Sequence, residues 1–139
     1  MTEIHITEEM LKSGKPIAQG EVLIWAKKYA PKAVLKKLAA LKNMTDMKLE
    51  KGMIILGHSE SGHHHVLEAV RPQTRISKAA QVMIDAANDS FVELKLSEPC
   101  KIVHLRDFDT HKTVVLPAGE YIRGLREEQT VQGWVRVAD

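Results

Sequence analysis

The chain is expected to adopt a mainly β fold, a small sandwich or barrel, with two peripheral helices. Three observations carry that expectation. Short blocks rich in aliphatic and β-branched residues recur at 20–25, 52–57, 63–70, 91–96, 101–106, 112–116, 120–126 and 134–137. Turn-forming residues separate most of these blocks, among them Ser13-Gly14, Arg71-Pro72 and Pro117-Ala118-Gly119. Only two longer stretches, 31–42 and 77–88, read as helices, so the architecture is β with helices packed outside. The 139 residues, 44% hydrophobic and 27% charged, fit one domain spanning 1–139 with a core of ordinary size.

In chain order, residues 7–12 form a short capped helix that ends at Ser13-Gly14 and is broken by Lys15-Pro16. Residues 20–25 are a strand. Residues 31–42 form a clear helix: Pro31 suits the first helical position, and Val34, Leu35, Leu38 and Leu41 recur at helical spacing. Lys32, Lys36 and Lys37 fall on its other side. Residues 52–57 are a nearly continuous apolar strand, followed by a histidine-rich turn and a strand over 63–70. Residues 77–88 are expected as a second outer helix, with Ser77 as N-cap and Asn88 as its stop. The remaining blocks, beginning with the alternating 91–96, read as strands, and those at 21–25, 52–57, 91–96 and 101–105 should form the core.

A formal net charge of +2 makes no global demand for nucleic acid or an acidic membrane. Cys100 is the single cysteine and lies in an apolar context, which favours a small buried hydrophobe over a reactive thiol and suits a reducing compartment. No basic region followed by an apolar run opens the chain, and no stretch approaches the ~20 apolar residues of a membrane helix. The expectation is a cytoplasmic protein with no membrane association.

The chemistry concentrates in histidine. The stretch from Gly57 to His65 holds four of the seven histidines, and His104 and His111 lie in a second hydrophobic block. Side chains alternate across a strand, so His63 and His65 share a face with Leu67 and Ala69, pointing inward, while His64 shares the other face with Val66 and Glu68. Two imidazoles on one inward face can reach a single ion at about 2.0–2.1 Å. His104, which shares a face with Cys100 and Ile102, or His111, beside Asp107 and Asp109, supplies a further ligand. His58 and Glu60 flank the same hairpin. Nitrogen and oxygen ligands suit a divalent ion such as Zn, Fe, Mn or Ni. With three protein ligands the ion keeps an open position for water activation, with Glu60 or Glu68 as proton-transfer group; with four it is structural. A purely polar hairpin and a metal-free catalytic histidine are the competing readings.

Other constellations are weaker. No Gly-rich phosphate loop precedes a helix, and Ser59 and Ser61 lack the context of a nucleophile elbow. Trp25 and Trp134 read as core anchors. Between residues 27 and 42 there are six lysines and no acid, so the helix 31–42 offers a nucleic-acid-binding face as an alternative function.

Gly57, His63 and His65 match the opening of the first cupin motif, and Pro117-Ala118-Gly119 matches part of the second. In these positions the chain resembles the cupin superfamily, which implies a β-barrel with a metal inside. Glu68 falls one residue early for that pattern, and Ile122 stands where the second motif has histidine. The chain also resembles a group of small uncharacterised bacterial and phage proteins. The shared features are Gly62-His63-His64-His65, the turn Leu116-Pro117-Ala118-Gly119-Glu120-Tyr121, and the ending Arg136-Val137-Ala138-Asp139. That resemblance implies no activity. It leaves room for a structural or interaction protein, of a phage particle or a bacterium, in which histidines converge in a homo-oligomer.

Overall fold

The computed structural model describes residues 3–58, 64–104, 112–130 and 133–136, with the backbone alone over 127–130 and 133–136. The elements in order are β1 (Glu3–His5), α1 (Glu8–Lys12), β2 (Ile17–Gln19), β3 (Val22–Ala26), α2 (Lys32–Ala39), β4 (Met44–Asp46), β5 (Ile54–Gly57) and β6 (His65–Ala69). They continue with α3 (Ile76–Ala79), β7 (Ala80–Asp85), β8 (Asn88–Leu96), β9 (Cys100–His104), β10 (Thr113–Leu116), β11 (Gly119–Leu125), β12 (Glu127–Thr130) and β13 (Gly133–Arg136).

Two sheets stack face to face. One has the order β1-β10-β9-β6-β5 and the other β2-β3-β11-β8-β7-β4; β12 and β13 form a separate hairpin. Neither sheet closes on itself, so the sandwich alternative holds and the barrel does not. All pairings are antiparallel except β1 with β10. The core lies between the sheets. Ile54, Leu56, Leu67, Cys100, Ile102, Val114 and Leu116 come from one side, and Val22, Ile24, Val82, Val92, Leu94 and Tyr121 from the other. These positions alternate along their strands, as a half-buried sheet requires.

The helix expected over 31–42 forms over Lys32–Ala39, and it buries Val34 and Leu38 against Trp25 and Ile122 on the outer face of the six-stranded sheet. The expected helix over 77–88 does not form. Only Ile76–Ala79 is helical, with Arg75 rather than Ser77 as N-cap; Ala80 turns extended at φ −145°, and Ala80–Asp85 pairs with β8. Alanine content favours a helix there, but pairing Ala80 with Leu96 and Val82 with Leu94 buries both residues in the sandwich, and tertiary burial outweighs weak propensity. Asn88 opens β8 instead of ending a helix. Among the described residues no helix is long and apolar enough to cross a membrane.

The two ends of the sandwich differ. At one end, where β10 leads into β11, Leu96, Cys100 and Leu116 are buried, and the Tyr121 hydroxyl donates to the Pro117 carbonyl at 2.6 Å. At the other end β5 finishes, β6 begins, β9 finishes and β10 begins, beside the β2–β3 turn. The close approach of Gly57 to Val22 brings the two sheets together there. The buried polar side chains Gln19, Glu21, His65, His104 and Thr113 all lie at this second end.

Candidate functional site

His65 and His104 are built into the site by strand register. The alternation that places Leu67 and Ile102 in the core places His65 and His104 on the same inner faces, and β6 pairs with β9 so that the two are directly opposed. Both are buried, at 0% and 1% exposure. Their rings stack with centroids 4.2 Å apart and planes within 2° of parallel.

Gln19, at the end of β2, ties this pair to both sheets. Its Nε2 donates to the Ile102 carbonyl at 2.9 Å and to the Lys112 carbonyl at 2.8 Å, and its Oε1 lies 2.8 Å from His65 Nδ1. Carbonyl oxygens only accept, so the atom facing both of them is the amide nitrogen. The amide oxygen then faces His65, and His65 Nδ1 carries the proton it donates. In the neutral ring the lone pair is therefore on Nε2.

A bulge in β5 shapes the opposite wall. The register with β6 shifts between Ile55 and Gly57, which sets Gly57 against His65. A Cβ on Gly57 would lie 2.7 Å from Val22 Cγ2, 3.1 Å from His65 Cδ2 and 3.3 Å from Glu21 Oε1. Glycine is thus required where the β5 backbone packs against Val22, the Cδ2 side of the His65 ring and the buried carboxylate of Glu21. Nearby, Arg123 is buried on the inner face of β11 and donates from Nη2 to the Asp89 carbonyl at 2.8 Å.

The stacked geometry bears on chelation. Nitrogen lone pairs lie in the ring plane. With the planes parallel, an ion equidistant from both nitrogens would sit outside both planes. Holding one ion with His65 and His104 together requires one ring to turn. Among the described residues no three His, Cys, Asp or Glu side chains are grouped so as to hold a metal.

The other expected site residues are distributed as follows. His58 is exposed, with Nε2 2.7 Å from Glu50 Oε2, and it meets His64 edge-on at 5.2 Å between centroids. Glu68 points to the opposite face of β6, level with Lys101, and lines a groove of about 380 Å³ there. Neither His58 nor Glu68 joins the stacked pair. Glu60, His63, Asp107, Asp109 and His111 lie outside the described residues. Cys100 is fully buried, and burial, with Glu98 adding to it, pushes its thiol up to about 11, which fits an inert core residue.

Sequence reasoning missed Gln19 and Glu21. The signal is local: Gln19-Gly20-Glu21-Val22, with Gly20 at φ 56°, is a tight turn between two strands, where the apolar pattern alone shows one strand starting at Gly20. Gln19's partners lie more than 40 residues away, beyond any local pattern.

No curated protein and no solved structure matches the chain. A family model covers residues 18–123, from β2 to β11, and so includes Gln19 and both stacked histidines. The chain belongs to the family described as Domain of unknown function (DUF8820).

Proposed function

We propose that this chain is a metal-binding β-domain whose divalent ion sits at the polar end of the sandwich. Its ligands are His65 and, with its ring turned out of the stack, His104, together with His63 or His111. The observation that carries the reading is the Gln19 bridge. A buried imidazole fixed in one tautomer by a hydrogen bond to its far nitrogen is the second-shell arrangement that metal-ligating histidines use. Gly57 packs against both that ring and the Glu21 carboxylate, so among the described residues Glu21, rather than Glu68, is the acid placed for proton transfer. A nitrogen-and-oxygen environment suits Zn, Fe, Mn or Ni, and an ion with an open position would supply Lewis-acid or water-activating chemistry. The motifs shared with small bacterial and phage proteins support a bacterial or phage source.

Calorimetric titration of untagged protein with each of the four ions tests the proposal. His65→Ala abolishes binding, Gln19→Leu weakens it about 10- to 100-fold, and His64→Ala, which alters the outward ring, leaves it near the parent value. Imidazole ligates only when neutral, so affinity falls as pH is lowered. Equal affinity in the parent and His65→Ala proteins would sink the assignment.

A further inference from the structure

The solvent face of α2 is independent of the histidine end and has its own logic. Residues 27–42 carry six lysines and no acid in a chain whose net charge is +2, which leaves the rest of the protein at −4. The structure gathers this segment on the outside of the six-stranded sheet, where Val34 and Leu38 hold α2 down. Two of the lysines have acidic partners: Lys27 with Glu93 at 3.2 Å and Lys28 with Glu8 at 2.7 Å. Lys37 Nζ stands 5.9 Å from the Phe91 ring centroid. Lys32, Lys36 and Lys42 are exposed and make no ion pair among the described residues.

Helix stability accounts for only part of this pattern: Lys36 and Lys37 lie in the last turn, where the helix dipole favours a cation. Lys32 stands in the first turn, where the helix dipole disfavours a cation, and no acid occupies that turn. Lys32 and Lys36 repel each other at i, i+4. In an eight-residue helix the placement of Lys32 therefore works against folding. A bound polyanion would reverse the sign of each.

We infer that this face docks on the phosphate backbone of a nucleic acid duplex, without reading its sequence. A bilayer is the poorer fit. The apolar side of α2 is spent on Trp25 and Ile122, and the exposed large apolar side chains, Met10, Leu49 and Val70, lie outside the helix. Lys32 and Lys36 are about 6 Å apart along the helix axis, and among the described residues no exposed aromatic accompanies them to stack on bases, so contact is to phosphates alone.

The test is fluorescence anisotropy of a labelled 20-base-pair duplex titrated with the full chain at 50 mM and 200 mM salt. Three or four phosphate contacts predict a salt slope near −3, hence a 40- to 150-fold loss of affinity across that interval. The variant K32Q/K36Q/K42Q should flatten the slope by about 0.9 per lysine. The matched variant K12Q/K78Q/K95Q removes the same charge from other exposed positions and should keep the parent's slope. Circular dichroism checks folding, and the single substitution K36Q serves if the triple variant fails it. A metal chelator should change nothing, which separates this inference from the metal reading. Absence of binding at 50 mM salt overturns it. So does equal loss in the two triple variants, or retention on phosphatidylserine vesicles without binding to the duplex.

Discussion

Replacing Gln19 with leucine keeps the size of the side chain and removes the bridge between the sheets. Three groups lose a partner: the Ile102 carbonyl, the Lys112 carbonyl and His65 Nδ1–H. Lys112 is exposed, so water can replace its lost bond at little cost. The other two bonds are buried. Leaving a buried donor or acceptor unsatisfied costs about 1–3 kcal/mol each. The added apolar contact of leucine offsets part of this, which leaves a net loss of about 2–4 kcal/mol. For a chain of this length that corresponds to a fall of roughly 5–15 °C in Tm. Urea unfolding followed by circular dichroism should show a lower midpoint with an unchanged m value. A loss below about 0.5 kcal/mol would mean that the Gln19 contacts do not hold the two sheets at this end, and the argument for His65's fixed tautomer would go with them.

Gly57→Ala should cost about 1–3 kcal/mol, because the new Cβ meets Val22 Cγ2 at 2.7 Å inside a packed wall. Combining it with Val22→Ala should recover part of the loss, measurable as a coupling in a double-mutant cycle. Burial, with Glu8 and Cys100 adding to it, pushes the Tyr121 phenol up to about 12. The folded value lies above the ordinary 10, so stability from this group is intact below pH 10 and is lost as pH rises from 10 to 12. Absorbance at alkaline pH should show a tyrosine ionising near the top of that window, and Tyr121→Phe should abolish that step. By the same sign, the Cys100 contribution is lost between pH 9 and about 11. A thiol reagent at pH 8 should label the native chain far more slowly than the urea-unfolded one, and equal rates would contradict the buried placement.

Much of the fold was legible because strand burial leaves a period-two pattern. Phe91–Leu96 alternates in the sequence and does so in the sheet, with Val92, Leu94 and Leu96 buried. The same rule placed His65 inward with Leu67 and paired it with the face of His104. The rule failed at 77–88, where alanines mask the alternation and the deciding contacts come from β8. It had nothing to say about β2 and β4, three residues each, whose pairing is set by β3 and β7. Alternation already set Glu68 on the face opposite His65, while His58, beyond the strand, had no face assigned by the rule. The structure keeps Glu68 there, level with Lys101, and places His58 outside with Glu50. The stacking of His65 on His104 depends on the register between strands 39 residues apart, which no local pattern encodes.

The most direct measurement is elemental analysis of the chain purified without an affinity tag, with His65→Ala and His104→Ala prepared alongside. The account predicts a transition metal at up to one ion per chain in the parent, lost from both variants while each remains folded by circular dichroism. No metal in the parent, together with no heat of binding for Zn, Fe, Mn or Ni, would contradict it and leave the stacked histidines as a structural pair.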